Sequence, residues 1–164
     1  MSPGLLAMAP LLLAADPTVA QLDDHRVRGS IDVAVPADTV RTLLSDPRNI
    51  ARIDNAGTTV TLAGKADGCT LTHSAVVHPI ASITYESKVC PIQGGWKATL
   101  VKSDDLQDFE SIWTVEDKGD RTRIVYQVRT IPDIPVPQFI VDRQTRASVA
   151  SMLVKLRTHL ERGE

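Results

Sequence analysis

His73 and Tyr85 are the two side chains whose types and placement suggest chemistry. Both fall on the apolar register of neighbouring extended segments, so an imidazole and a phenol could meet across an enclosed space and orient a carbonyl or exchange a proton with it. The same placement equally describes a buried histidine hydrogen-bonded to its neighbour, with no chemistry. No other constellation competes. Nothing forms a nucleophile triad or a phosphate-cradling glycine loop, and Gly94-Gly95 before a strand is hairpin chemistry. The two cysteines and four histidines match no zinc spacing, so neither a metal nor a cofactor is expected. Alternation puts Arg129 and Glu110 on outer, solvated faces. Arg143 and Arg146, in a C-terminal helix, could meet an anionic head group or simply be helix surface charges.

Cys69 and Cys90 pose a question of register. Folding the hairpin about Pro79-Ile80 with paired numbers summing to 159 sets the cysteines opposite each other and allows a disulfide in an oxidising compartment. That register pairs Leu71 with Lys88 and Ala75 with Thr84, mixing the faces. A sum of 160 pairs Leu71 with Val89, Ala75 with Tyr85 and Val77 with Ile83, keeping the apolar face whole and separating the cysteines. Burial favours the second register; a bulge near Cys90-Pro91 would reconcile the two.

The elements that must position these groups follow from hydrophobic period. Residues 27–35 alternate as a half-buried strand ending at Pro36, and Asp38 caps a short helix with apolar residues at 40, 43 and 44. Asp46-Pro47 ends that helix, and residues 49–52 form one more turn. Strands are predicted over 58–63, 69–77, 82–89, 96–102, 109–115 and 122–131, joined by Gly- and Asp-rich turns that imply antiparallel neighbours. The predicted inner face carries Leu71, Ala75 and Val77, then Ile83, Tyr85 and Val89, then Trp96, Ala98 and Leu100, then Phe109, Trp113 and Val115, and last Ile124, Tyr126 and Val128. After the Pro-rich turn 131–137, either a stiff connection or part of a cavity entrance, residues 138–162 lack Gly and Pro. Apolar residues at 149, 152, 153, 156 and 160 make this an amphipathic helix about 38 Å long. Its middle, 146–151, carries small side chains that either leave room for a ligand or allow close helix–sheet packing.

The 164 residues, 43% hydrophobic and 23% charged with net charge -2, describe one globular domain able to bury a core. With 18 basic against 20 acidic residues, the chain lacks the basic footprint that nucleic acid requires. Thirteen of the first 20 residues are apolar, with Asp16 the one charge. Residues 5–15 have the length of a signal-peptide core, too short to span a bilayer, and Thr18-Val19-Ala20 offers small residues for cleavage. Export is therefore expected, with residues 1–20 as leader and 26–162 as the domain. The alternative is a cytoplasmic protein whose N-terminal extension packs on the domain.

The element order, one strand, two short helices, six strands and a long helix, resembles the START-like superfamily, also called SRPBCC or helix-grip. Ser30 to Asp46, reading SIDVAVPADTVRTLLSD, resembles its opening, and Ile131 to Leu160, with Leu156-Arg157, its closing segment. The polyketide cyclase/dehydrase-like and coenzyme Q-binding branches look nearest. The resemblance implies an α+β fold with a curved antiparallel sheet of about seven strands gripping the C-terminal helix over an apolar cavity. The expected wall is Leu71, His73, Ala75, Tyr85, Trp96, Leu100, Phe109, Trp113, Tyr126 and Val128 from the sheet, with Phe139, Val149, Ala150 and Leu153 from the helix. The function expected is binding or transport of a lipid, isoprenoid, quinone or sterol-like molecule by a monomer, loaded through transient membrane contact. A cyclase or dehydratase using His73 and Tyr85 is one alternative, and an interaction module with a collapsed cavity another.

Overall fold

The computed structural model describes residues 15–77 and 81–163. The chain runs β1 (Thr18–Gln21), β2 (Val27–Val33), α1 (Ala37–Leu44), α2 (Pro47–Asp54), β3 (Thr58–Ala66), β4 (Cys69–Val77), β5 (Ser82–Ile92), β6 (Gly95–Lys102), β7 (Leu106–Asp117), β8 (Thr122–Pro132) and α3 (Gln138–Arg162). The strands make one antiparallel sheet of eight in the order β1-β2-β8-β7-β6-β5-β4-β3. This is the helix-grip arrangement with one strand more than expected. The extra strand, β1, pairs Val19 with Gly29 on β2 and falls on the residues read as a cleavage site. Its four residues are too short for alternation to register.

Local chemistry explains the short helices. Asp46, not Asp38, does the capping: its Oδ1 accepts from the Arg48 backbone N–H at 3.0 Å, and Pro47 occupies the first turn, where no N–H is needed. The Arg48 guanidinium bonds the same carboxylate and holds it at about 2, well below the usual range. Asp38 sits inside the first turn of α1, bonded to Arg41 at 3.0 Å, and Pro36 precedes the helix without a side-chain cap.

The β4–β5 hairpin adopts the register summing to 159. Thr70 faces Val89, Leu71 faces Lys88 and Ala75 faces Thr84, and Cys69 and Cys90 form a disulfide with Cα atoms 4.4 Å apart. The expectation that burial would impose the other register is corrected. The inner face of β4 carries Thr72, Ser74 and Val76, and the buried Thr72 and Ser87 hydroxyls bond each other at 2.7 Å. Two hydroxyls that satisfy one another face inward at little cost, so apolar count alone misjudges the side.

On the outer face, Arg129 and Glu110 are paired and partly buried, not solvated. Arg129 bonds Asp24 and Asp108, while Glu110 accepts from Arg26 at 2.7 Å with Lys97 at 3.4 Å. Burial pushes the Glu110 carboxyl up, but Arg26 and Lys97 prevail and hold it below its ordinary value.

The core lies at one end of the sandwich. Val27, Ile31 and Val33 of β2, with Ile124 and Val128 of β8, pack against Val149, Leu153, Leu156 and Leu160 of α3. All five buried residues of α3 lie at or after Val149, so the helix before Val149 buries no side chain fully. The close approach is made at Gly29: a Cβ there would lie 2.5 Å from Val149 Cγ1 and 2.8 Å from Leu153 Cδ1. We expect Gly29→Val to lower the unfolding free energy by about 1–3 kcal/mol in urea denaturation. A valine favours an open strand, so unchanged or raised stability would contradict this contact.

Candidate functional site

Where α3 parts from the core, it leaves a cavity of about 440 Å³ between its N-terminal half, α2 and the inner faces of β3 to β8. Its wall follows the strand alternation: Tyr85, Ser87 and Val89 on β5, Trp96 and Ala98 on β6, Phe109, Ser111 and Trp113 on β7, Tyr126, Val128 and Thr130 on β8. The helix supplies Val141, Thr145, Val149 and Met152, at spacings of three and four that put them on one face. Ile50 and Ala51 of α2 close the far side, and Ile134 and Val136 of the Pro-rich turn complete the rim, so that turn is part of the cavity. Ala56, Ile140, Gln144 and Ser148 line the cavity and are exposed, which marks the mouth.

The rings are arranged in pairs. Trp113 stacks on Tyr126 with centroids 4.1 Å apart, and Tyr85 tilts against Phe109 at 4.7 Å. Both tryptophans and both tyrosines of the chain line the cavity. Burial pushes the Tyr85 phenol up, only partly offset by the Ser74 hydroxyl across the strand pair. Tyr126 is raised too, by burial and then by the proximity of Tyr85, against the opposing Ser111 hydroxyl. Both rings are therefore neutral donors, not bases.

Of the wall expected from the sequence, Tyr85, Trp96, Phe109, Trp113, Tyr126, Val128 and Val149 line the cavity. Leu71, His73 and Ala75 do not: the register turns them to the outer face, with His73 exposed opposite Glu86. His73 and Tyr85 therefore lie on opposite sides of the sheet and cannot act on one substrate. Leu100 lies opposite Ser87 at a bulge in the β5–β6 ladder, beyond the cavity. Leu153 is sealed in the core beside Gly29, and Ala150 is half-buried off the wall. Phe139 is 70% exposed, because helical spacing carries it away from the inward Val141. Arg146 donates to Gln21 at 2.7 Å, and Arg143 is exposed. Ser74, which alternation assigns to the outer face, lines the cavity together with Val76, Ser87 and Ser111, and Val141, Thr145 and Met152 extend the helix stripe of Val149.

With two tyrosines, both on the wall, absorbance near 295 nm reads this site alone. Raised folded values mean the phenols favour the folded state below about pH 10 and lose that contribution as pH climbs toward the folded values. Alkaline titration should show almost no phenolate until the protein unfolds, whereas a native-state transition near pH 10 would contradict the buried placement.

Comparison with known proteins agrees with this architecture. Residues 24–161 match the family model described as polyketide cyclase / dehydrase and lipid transport. No curated protein matches the sequence. Among solved structures, a START superfamily protein from Mycobacterium smegmatis is 19% identical and has a TM-score of 0.72, over 85% of this chain and 99% of that one. The Zhui aromatase/cyclase from Streptomyces sp. R1128 is 16% identical with a TM-score of 0.65, covering 82% and 90%. A STAR-related lipid transfer protein from Xanthomonas axonopodis is 14% identical with a TM-score of 0.63, covering 89% and 99%. At these identities the structural likeness shows the fold, and the match over residues 24–161 shows the family: the chain belongs to the polyketide cyclase / dehydrase and lipid transport family of START-like proteins.

Proposed function

We propose that this protein binds and carries an apolar small molecule in the cavity under α3, as a monomer and without chemistry. The observation that carries this reading is the composition of the wall. Two tryptophans, two tyrosines, Phe109 and a set of aliphatic side chains enclose a volume in the ~300–1,000 Å³ range of small-molecule sites. Among the described lining residues there is no imidazole or ammonium, and the one carboxylate, Asp54, is bonded by Lys155 at 3.2 Å. A transfer mechanism needs only removal of apolar ligand surface from water, worth about 25 cal/mol per Å². Phe139 and Val77, 70% and 69% exposed, flank the mouth, which supports loading by transient contact with a membrane.

Binding is read by tryptophan fluorescence, since both indoles line the wall. Nile red, a neutral apolar dye, should quench it and saturate at one dye per chain. Ala98→Phe, which projects a ring from β6 into the cavity, should weaken binding at least about tenfold while leaving the circular dichroism spectrum intact. Unchanged affinity in the folded variant would place the dye elsewhere and sink the reading.

We also propose that the protein is exported. The Cys69–Cys90 disulfide, closing a 21-residue separation and contributing roughly 3 kcal/mol, suits an oxidising compartment. Residues 1–14, which hold most of the leader expected from the sequence, lie outside the described residues. Cleavage after Ala20 would remove all of β1 but Gln21, including Val19, which packs on the core. The mature chain is therefore expected to begin before Thr18. Intact mass of protein isolated from its own host should show such an N-terminus and no free thiol, and an intact Met1 with two free thiols would overturn export.

A further inference from the structure

We infer that the cavity selects an uncharged, ring-bearing ligand carrying a hydroxyl or carbonyl oxygen, and rejects the carboxylate or phosphate ester of the same skeleton. This rests on the carrier reading above and names the class of its ligand. Of the 18 lysines and arginines in the chain, none is among the cavity-lining residues. Of the cations of α3, Arg146 bonds Gln21, Lys155 bonds Asp54 and Arg157 bonds the Ala15 carbonyl, while Arg143 is exposed and off the wall. An anion entering the cavity would lose its hydration and meet no lysine or arginine on the wall, where the one charge, Asp54, is already paired with Lys155.

What the wall does offer is hydroxyls. Ser74, Ser87 and Ser111 project inward from β4, β5 and β7, each buried; Ser74 and Ser111 bond the phenols of Tyr85 and Tyr126 and Ser87 bonds Thr72, which leaves each of these hydroxyls further hydrogen-bonding capacity. A serine or tyrosine hydroxyl both donates and accepts, so this group serves a neutral carbonyl or alcohol equally well. Beside aliphatic side chains such as Val60, Ile83 and Val89, the sheet presents rings. Trp96 and the two ring pairs, Trp113–Tyr126 and Tyr85–Phe109, present faces and edges that suit offset stacking on a ligand ring better than contact with a flexible chain. The buried hydroxyls thus sit on the sheet; on the helix, Gln144 and Ser148 are exposed at the mouth and the Thr145 hydroxyl donates to the Val141 carbonyl. A bound molecule would turn its oxygen toward β4, β5 and β7.

Three fluorescent probes of one skeleton test this near pH 7: pyrene, 1-pyrenemethanol and 1-pyrenecarboxylate, which is ionised there. Energy transfer from the wall tryptophans reports each. The alcohol should bind at least about tenfold more tightly than the carboxylate and several-fold more tightly than pyrene. The Tyr85→Phe/Tyr126→Phe double variant should remove the alcohol's advantage over pyrene while pyrene still binds. If that variant fails to fold, Ser111→Ala alone should narrow the same ratio. A carboxylate that binds as well as the alcohol overturns the selection against charge while leaving the carrier reading intact. An alcohol no better than pyrene, unaffected by the variants, overturns the hydroxyl recognition. Failure of all three probes and of Nile red to bind would defeat the carrier reading itself.

Discussion

The contact of α3 with Gly29 governs the rest of the molecule. A helix of 25 residues can lie flush on a sheet only where the sheet lets it approach, and the missing Cβ on β2 provides that place beneath Val149 and Leu153. From there to Leu160 the helix is packed into the core with β2 and β8. In the other direction the curved sheet falls away, and the N-terminal half spans open space. The cavity is thus the geometric remainder of a helix packed over half its length, and its position over β3 to β8 follows from where the packing stops.

The opposite side is held by different means. β3 and β4 lie at the far edge of the sheet, away from the packed core, and receive the Cys69–Cys90 crosslink and the cover of α2. α2 is tied in turn to α3 by Lys155, which donates to the Asp54 carbonyl at 2.6 Å. A cavity wall cannot be stabilised by the packing that a ligand would replace. Covalent and ionic ties around the rim do part of that work here, and the ion pairs of Arg129 and Glu110 stiffen the sheet from outside.

Much of this was legible in the residues. The limits of α3 and its buried stripe follow from period and from the absence of Gly and Pro across 138–162, and Tyr85, Trp96, Phe109, Trp113 and Tyr126 were placed on one wall by alternation alone. The failures have a common physical cause. Alternation assumes that the inner face is packed hydrocarbon, and at β4 Ser74 lines a cavity while the neighbouring Thr72 is buried against the Ser87 hydroxyl. Choosing the apolar side therefore turned His73 inward and created a catalytic pair that the sheet divides. Sequence also could not say where along the helix the sealed stretch begins: Val141 and Val149 lie on the same apolar stripe, yet Val141 only lines the cavity, whereas Val149 packs into the core beside Gly29. Phe139 was drawn to the cavity by its type, when its helical position turns it out beside the mouth.

Native mass spectrometry of the protein isolated from its own host, followed by extraction and accurate mass of whatever it carries, tests the central claim most directly. The structure predicts one small molecule per chain, neutral, ring-bearing and oxygen-containing, released on unfolding. A chain that carries nothing and takes up no lipid, sterol or quinone offered to it, or one that holds an anionic lipid head group inside the cavity, would contradict the account.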